Sequence, residues 1–146
     1  MIESFLITNL IGKELIGQAI HDSTKSIYGN LTDVMNNEFT FKELLESIDI
    51  VSKVDIVNSF MSVLDSKKNI SDVLHKALNY LHEITEKINK EIVEIKKDIE
   101  SHKTLWFHNF RTPIYKTKIE NLIKHTKILD TRLDLIIKLI NIKDKI

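Results

Sequence analysis

Apolar side chains recur every three or four residues through most of this chain, the spacing of helices that bury one face. From Ile70 they run Leu74, Ala77, Leu81, Ile84, Ile88, Ile92, Ile95, Ile99, His102 and Trp106, which predicts a helix from about Ile70 to Trp106, roughly 55 Å long. Two successive four-residue steps through Ile84, Ile88 and Ile92 form a stutter, where any supercoil relaxes. Asn69 or Ser71 caps its start, with Asp72 favourably placed at the positive end of the helix dipole. Glu83 with Lys87, and Glu86 with Lys90, stand four apart with the acid first, the better order on a wet face.

A second seam follows the only proline, in strict alternation of four and three: Tyr115, Ile119, Leu122, Thr126, Leu129, Leu133, Ile136 and Ile140. Thr112 and Pro113 read as N-cap and first helical residue. Only Phe107 to Arg111 separate the seams, so the two helices fold back as an antiparallel hairpin over 70–141. Ile123 and Ile137 widen the second stripe, implying burial against more than one neighbour.

Residues 1–66 are expected to supply those neighbours. Thr40 to Glu43 match a capping box before Leu44, Leu45, Ile48, Val51, Val54, Val57, Phe60, Met61 and Leu64, with a break expected near Asp49 to Asp55. Ile16, Ile20, Ile27, Leu31 and Val34 mark another helix, for which Gly29-Asn30 is a candidate interruption or stop. The first twenty residues form a less regular helix. Phe5, Leu6, Leu10, Ile11 and Leu15 alternate with Thr8, Asn9, Lys13, Glu14 and Gln18, so this helix is expected either to lie centrally or to contact a second molecule. The whole chain reads as a single all-α domain, an antiparallel bundle of four or more helices with coiled-coil character in its long C-terminal hairpin.

Composition agrees. The 146 residues suffice for one domain with its own core, and 42% hydrophobic with 29% charged residues is ordinary for a globular chain. Gly occurs three times and Pro once, too few for a hairpin-rich β fold. The absence of Cys removes disulfides, thiolate nucleophiles and cysteine metal sites together. No apolar run approaches the ~20 residues that span a bilayer, and Glu3 stands where a signal peptide carries positive charge. A cytoplasmic or virion-associated chain, not a secreted one, is the expectation.

The formal net charge is zero but unevenly distributed. Residues 1–69 hold six Lys against ten Asp and Glu, and residues 70–146 hold fifteen Lys and Arg against eleven acids. That asymmetry suits acidic helices packing on basic ones, or head-to-tail contact between copies. Lys116, Lys118, Lys124, Lys127 and Lys138 are interleaved with Glu120, Asp130 and Asp134, which reads as a solvated face, so nucleic acid is not an expected partner.

Candidate chemistry is thin. His82-Glu83-Ile84-Thr85-Glu86 has a glutamate where a zinc-protease helix needs its second histidine. His75 and His82 stand too far apart to share a metal, and no Glu-x-x-His pair suggests a di-iron bundle. Gly12 and Gly17 match no phosphate-loop spacing. No catalytic, cofactor or metal residue is assigned, and the chain is expected to be non-enzymatic.

The densest feature is Trp106-Phe107-His108-Asn109-Phe110-Arg111-Thr112-Pro113-Ile114-Tyr115. It holds four of the ten aromatics, the only Trp, the only Pro and one of two Arg. Such a turn either plugs the end of the bundle or forms a binding knob, since Trp, Tyr and Arg dominate interface energetics. Trp106, Phe107, Phe110, Arg111 and Tyr115, with Leu10 on the first helix, are the candidate partner-binding residues.

Trp106-Phe107, Arg111-Thr112-Pro113, Tyr115, His125 and Leu129-Asp130-Thr131-Arg132-Leu133-Asp134-Leu135 together resemble C-terminal hairpins in small helical proteins of nucleocytoplasmic large DNA viruses. The resemblance covers about a quarter of the chain and implies a virion or factory-associated structural role. The leading expectation is a structural or adaptor bundle that binds protein, itself included. The alternative is a membrane-active bundle resembling helical executioner domains of cell-death proteins, whose first helix leaves the bundle and inserts.

Overall fold

The computed structural model describes residues 10–37, 45–46, 49–65, 70–103 and 116–145. They form four helices, α1 (Ile16–Asn37), α2 (Ile50–Asp65), α3 (Asp72–Lys103) and α4 (Lys116–Lys145), with no strand among the described residues. The fold is an all-α bundle. α3 and α4, of 32 and 30 residues, extend about 48 and 45 Å at ~1.5 Å per residue.

Cross-helix contacts give the directions. Asp98 pairs with Lys118 at 2.6 Å and Glu83 with Arg132 at 3.3 Å, so α4 runs antiparallel to α3 as the hairpin requires. Along α1 and α3 the offset stays nearly constant instead. Asn30 Nδ2 donates to Asn89 Oδ1 at 3.0 Å, and Lys96 reaches Asp33 at 2.8 Å. These two helices therefore lie side by side and parallel. α2 packs antiparallel on α1 and touches α4 lightly, where Lys53 meets Asp130 at 2.7 Å. α3 is the hub, with α1 on one flank and α4 on the other.

The seams are the core. On α3, Leu74, Ala77, Leu78, Leu81, Ile84, Ile88, Ile92, Ile95 and Ile99 are all buried. On α4, Leu122, Thr126, Leu129, Leu133 and Ile136 are buried, while Ile119, Ile137 and Ile140 pack partly against them. Thr126 is tolerated because its hydroxyl donates to the Leu122 carbonyl at 2.7 Å within its own helix. Ser71 caps α3, its hydroxyl accepting the Leu74 N–H at 3.1 Å.

Two expectations from the sequence need correction, and a third is placed more narrowly. α1 does not break at Gly29-Asn30 but runs through to Asn37. Gly29 is exposed with nothing near the position a Cβ would take, so the helix continues there at only the entropic cost of a glycine. No helix spans Leu10 to Leu15: residues 10–12 are non-helical, 13–15 form a turn, and the Gly12 carbonyl accepts the first bonds from Leu15 and Ile16. The break expected between Asp49 and Asp55 falls at Asp49 itself. Its φ is 55°, its carboxylate and carbonyl accept the Ser52 hydroxyl, and α2 then proceeds unbroken. Asp tolerates this left-handed backbone better than most residues. The capping box at Thr40 to Glu43 lies outside the described residues.

Candidate functional site

Of the six candidate partner-binding residues, Trp106, Phe107, Phe110, Arg111 and Tyr115 lie outside the described residues, and only Leu10 is placed. It is 53% exposed, in the non-helical segment ahead of α1.

That segment is held by its neighbour Ile11. The Ile11 N–H donates to Asn79 Oδ1 at 2.8 Å, and the Ile11 carbonyl accepts from Asn79 Nδ2 at 3.2 Å and from His75 Nε2 at 2.6 Å. Asn79 Nδ2 also reaches the His75 carbonyl at 3.1 Å within α3. A primary amide presents one acceptor and one donor side by side, so it pairs with a main chain as another peptide group would. Asn79 is buried, and leaving its amide unmatched there is costly, so the clamp fixes the segment in place. Two residues after Ile11, exposed Lys13 meets Asp72 at 2.6 Å. The hydrogen bond and charge of Lys13 hold the Asp72 carboxyl below its ordinary range.

α1 and α2 enclose a polar groove of about 510 Å³, lined by Gln18, His21, Asp22, Lys25, Tyr28, Asp55 and Asn58 among others. His21 Nδ1 donates to Asn58 Oδ1, which fixes the imidazole tautomer, and the Thr24 hydroxyl lies 3.2 Å from the same oxygen. That hydroxyl also lies 3.0 Å from the His21 carbonyl, so it is directed at the helix backbone and Asn58. Gln18 donates to Asp22 at 2.9 Å. Among the described residues no three His, Asp or Glu side chains gather as a metal would require.

The α3–α4 seam carries a second polar row. Lys118 pairs with Asp98, while Arg132 donates to the Tyr80 carbonyl at 2.7 Å and lies 5.6 Å from the Tyr80 ring centroid. Between them, Glu91 and His125 each keep one buried atom, Oε2 and Nδ1, without a hydrogen-bond partner. Burial first and Glu94 second push the Glu91 carboxyl up, against a hydrogen bond from Asn121 and the charges of Lys118 and Lys90. Burial first, then Lys87 and Lys124, hold the His125 imidazole below its usual value. In the zinc-protease-like stretch, His82 lies 3.4 Å from Glu86 along its own helix.

Sequence reading missed Asn79, Asn58 and Arg132. A signal existed for the first: His75 and Asn79 stand four apart beside Leu74 and Leu78, a polar pair on the edge of an apolar stripe. Compared with known proteins, the chain matches no family model, and no curated protein or solved structure is similar enough to count as a match.

Proposed function

We propose that this chain is a non-enzymatic structural or adaptor module whose work is protein–protein contact, including self-association in a larger assembly such as a virion. The placement of exposed apolar side chains supports the reading. Leu10, Leu15, Val63 and Val73 are 53, 63, 60 and 62% exposed. The start of α1, the end of α2 and the start of α3 share one end of the bundle, so the helix directions bring all four there. Single exposed hydrophobes are ordinary, but several large ones on one end suit a surface that another protein covers. The Lys13–Asp72 ion pair beside them supplies a polar margin. Trp106, Phe107, Phe110, Arg111 and Tyr115 join the proposal on their chemistry, as residue types that anchor interfaces.

Light scattering on the purified chain tests it. The wild-type chain is expected to assemble at micromolar concentration, and Leu15→Ser with Val73→Ser to dissociate it while helical content and melting temperature hold. A wild-type chain that stays monomeric to the highest soluble concentration removes self-association. Leakage of anionic vesicles driven by this chain would favour the membrane-active reading instead.

A further inference from the structure

We infer that the segment Leu10–Gly12 is an exchangeable arm, and that the seat formed by Asp72, His75 and Asn79 on α3 also receives the arm of a second copy of this chain. The inference deepens the assembly reading above by naming a contact that joins copies. Three observations carry it.

The seat recognises main chain. Both polar groups of Ile11 are satisfied by side chains of α3, at 2.8, 3.2 and 2.6 Å, as an extended peptide would be satisfied by a neighbouring strand. The Ile11 side chain adds only partial burial against the core, and Leu10 points its bulk at solvent. Among the described residues, the arm is thus held by a local set of contacts that an identical arm reproduces.

The seat is also poorly suited to standing empty. Asn79 is 2% exposed, and without Ile11 the Oδ1 acceptor would lose its partner inside the bundle wall. Departure of the arm is therefore favoured only when an equivalent main chain replaces it, and the equivalent segment in a solution of this protein is the arm of another copy. Exchange of identical elements conserves every contact, so it proceeds with little loss of interaction energy.

Finally, the arm is separate from the helix it precedes. Residues 10–12 are non-helical and 13–15 turn before α1 starts, so the arm swings about Gly12 and the turn without disturbing a helical hydrogen bond beyond the first turn. The charge pair Lys13–Asp72 then forms between copies as it does within one. Leu10, Leu15, Val63 and Val73, exposed at this end of the single chain, come to face the partner.

The chain contains no cysteine, which allows a clean test with the full-length protein. Lys13→Cys and Asp72→Cys, both at exposed positions, are prepared as separate single variants, mixed in equal amounts and oxidised. Arm exchange places the two thiols together, so the mixed disulfide is expected to exceed either homodisulfide by about tenfold or more, because the effective local concentration is raised. Adding Asn79→Ala to both variants removes the seat and is expected to return the mixed disulfide to the collision level, with circular dichroism confirming that the helices remain. A mixed disulfide at the random proportion, or one indifferent to Asn79→Ala, overturns the inference. Light scattering on the unmodified chain reads the assembly proposal independently: a chain that assembles without the mixed disulfide refutes arm exchange alone.

Discussion

Asp98 and Lys118 meet at 2.6 Å across the α3–α4 seam. The antiparallel register then carries Glu91 and His125 to a common level one heptad further along the same seam. The first position is a formed ion pair, whereas the second holds two partly buried groups whose Oε2 and Nδ1 lack partners. The groups at the two levels should respond to pH over different ranges, and the two at the second level with opposite slopes.

At the ion pair, the hydrogen bond from Lys118 to Asp98 and the carboxylate charge hold the Lys118 ammonium above the ordinary lysine range. A raised lysine value means that the folded state keeps its proton longer than the unfolded state. The contribution is therefore complete at neutral pH and is lost as pH climbs past the ordinary lysine value. Lys118→Met is expected to destabilise by about 1 kcal/mol at neutral pH, since Asp98 is left partly buried and unpaired. Urea denaturation at pH 7 and pH 11 checks this: the wild-type advantage should shrink at the higher pH.

At the unpartnered level, Glu91 is held above its usual range, so the carboxylate form is the disfavoured one in the folded chain. Glu91→Gln is expected to stabilise at pH 7 by something on the order of 0.5 kcal/mol, discounted for solvent access. The gain should vanish in acid, where Glu91 itself is neutral. Glu94, Lys90 and Lys118 are the charges around it, and a gain that persists below pH 4 would assign the effect to packing rather than to charge.

His125 gives the reverse slope. Its folded value is held low by burial and by Lys87 and Lys124, so the unfolded chain takes up the proton first, and stability falls as pH drops below the ordinary imidazole range. His125→Leu is expected to flatten that acid limb in thermal melts between pH 7 and pH 4. An unchanged limb would assign it to other groups.

The Asn79 clamp is also testable in the resting chain. Asn79→Leu leaves the Ile11 N–H and carbonyl without side-chain partners from that position, at an expected cost of about 1–3 kcal/mol. Hydrogen exchange should show the Ile11 amide losing protection while the amides of Ile88 and Ile92 keep theirs, because the loss is local.

What the sequence made legible follows from periodicity. Residues such as Ile84, Ile88, Leu122 and Leu129 are buried because nothing but an interior accommodates an apolar stripe of that length, and the stripe is visible without coordinates. The parallel pairing of α1 with α3 was not legible, because it depends on which flank of a wide stripe each neighbour takes. Gly29 misled for a related reason. A glycine on a wet face is harmless to a helix whose other face holds Ile27 and Leu31 in the core, and tertiary burial outweighs local propensity. Leu10 and Leu15 looked like parts of a mixed helix, but the segment departs from helix where Asn79 supplies the hydrogen bonds a helix would otherwise make. The His75–Asn79 spacing marks a polar site on the stripe's edge, but the partner of Asn79 is a main chain 68 residues away, which no side-chain pattern announces.

The assembly proposal separates from the core most sharply in a paired comparison. Ile88 is fully buried at the stutter of α3, so Ile88→Ala removes contacts on every side and is expected to cost about 2–5 kcal/mol. Trp106→Ala and Phe110→Ala are expected to behave oppositely, weakening self-association or partner capture by more than tenfold, about 1.4 kcal/mol or more, while lowering stability less than Ile88→Ala does. Denaturant midpoints and light scattering on the same three variants provide both axes. If the aromatic variants lose stability and association in the same proportion as Ile88→Ala, the aromatic segment is an end plug of the bundle, and the interface must be sought among Leu10, Leu15, Val63 and Val73 alone.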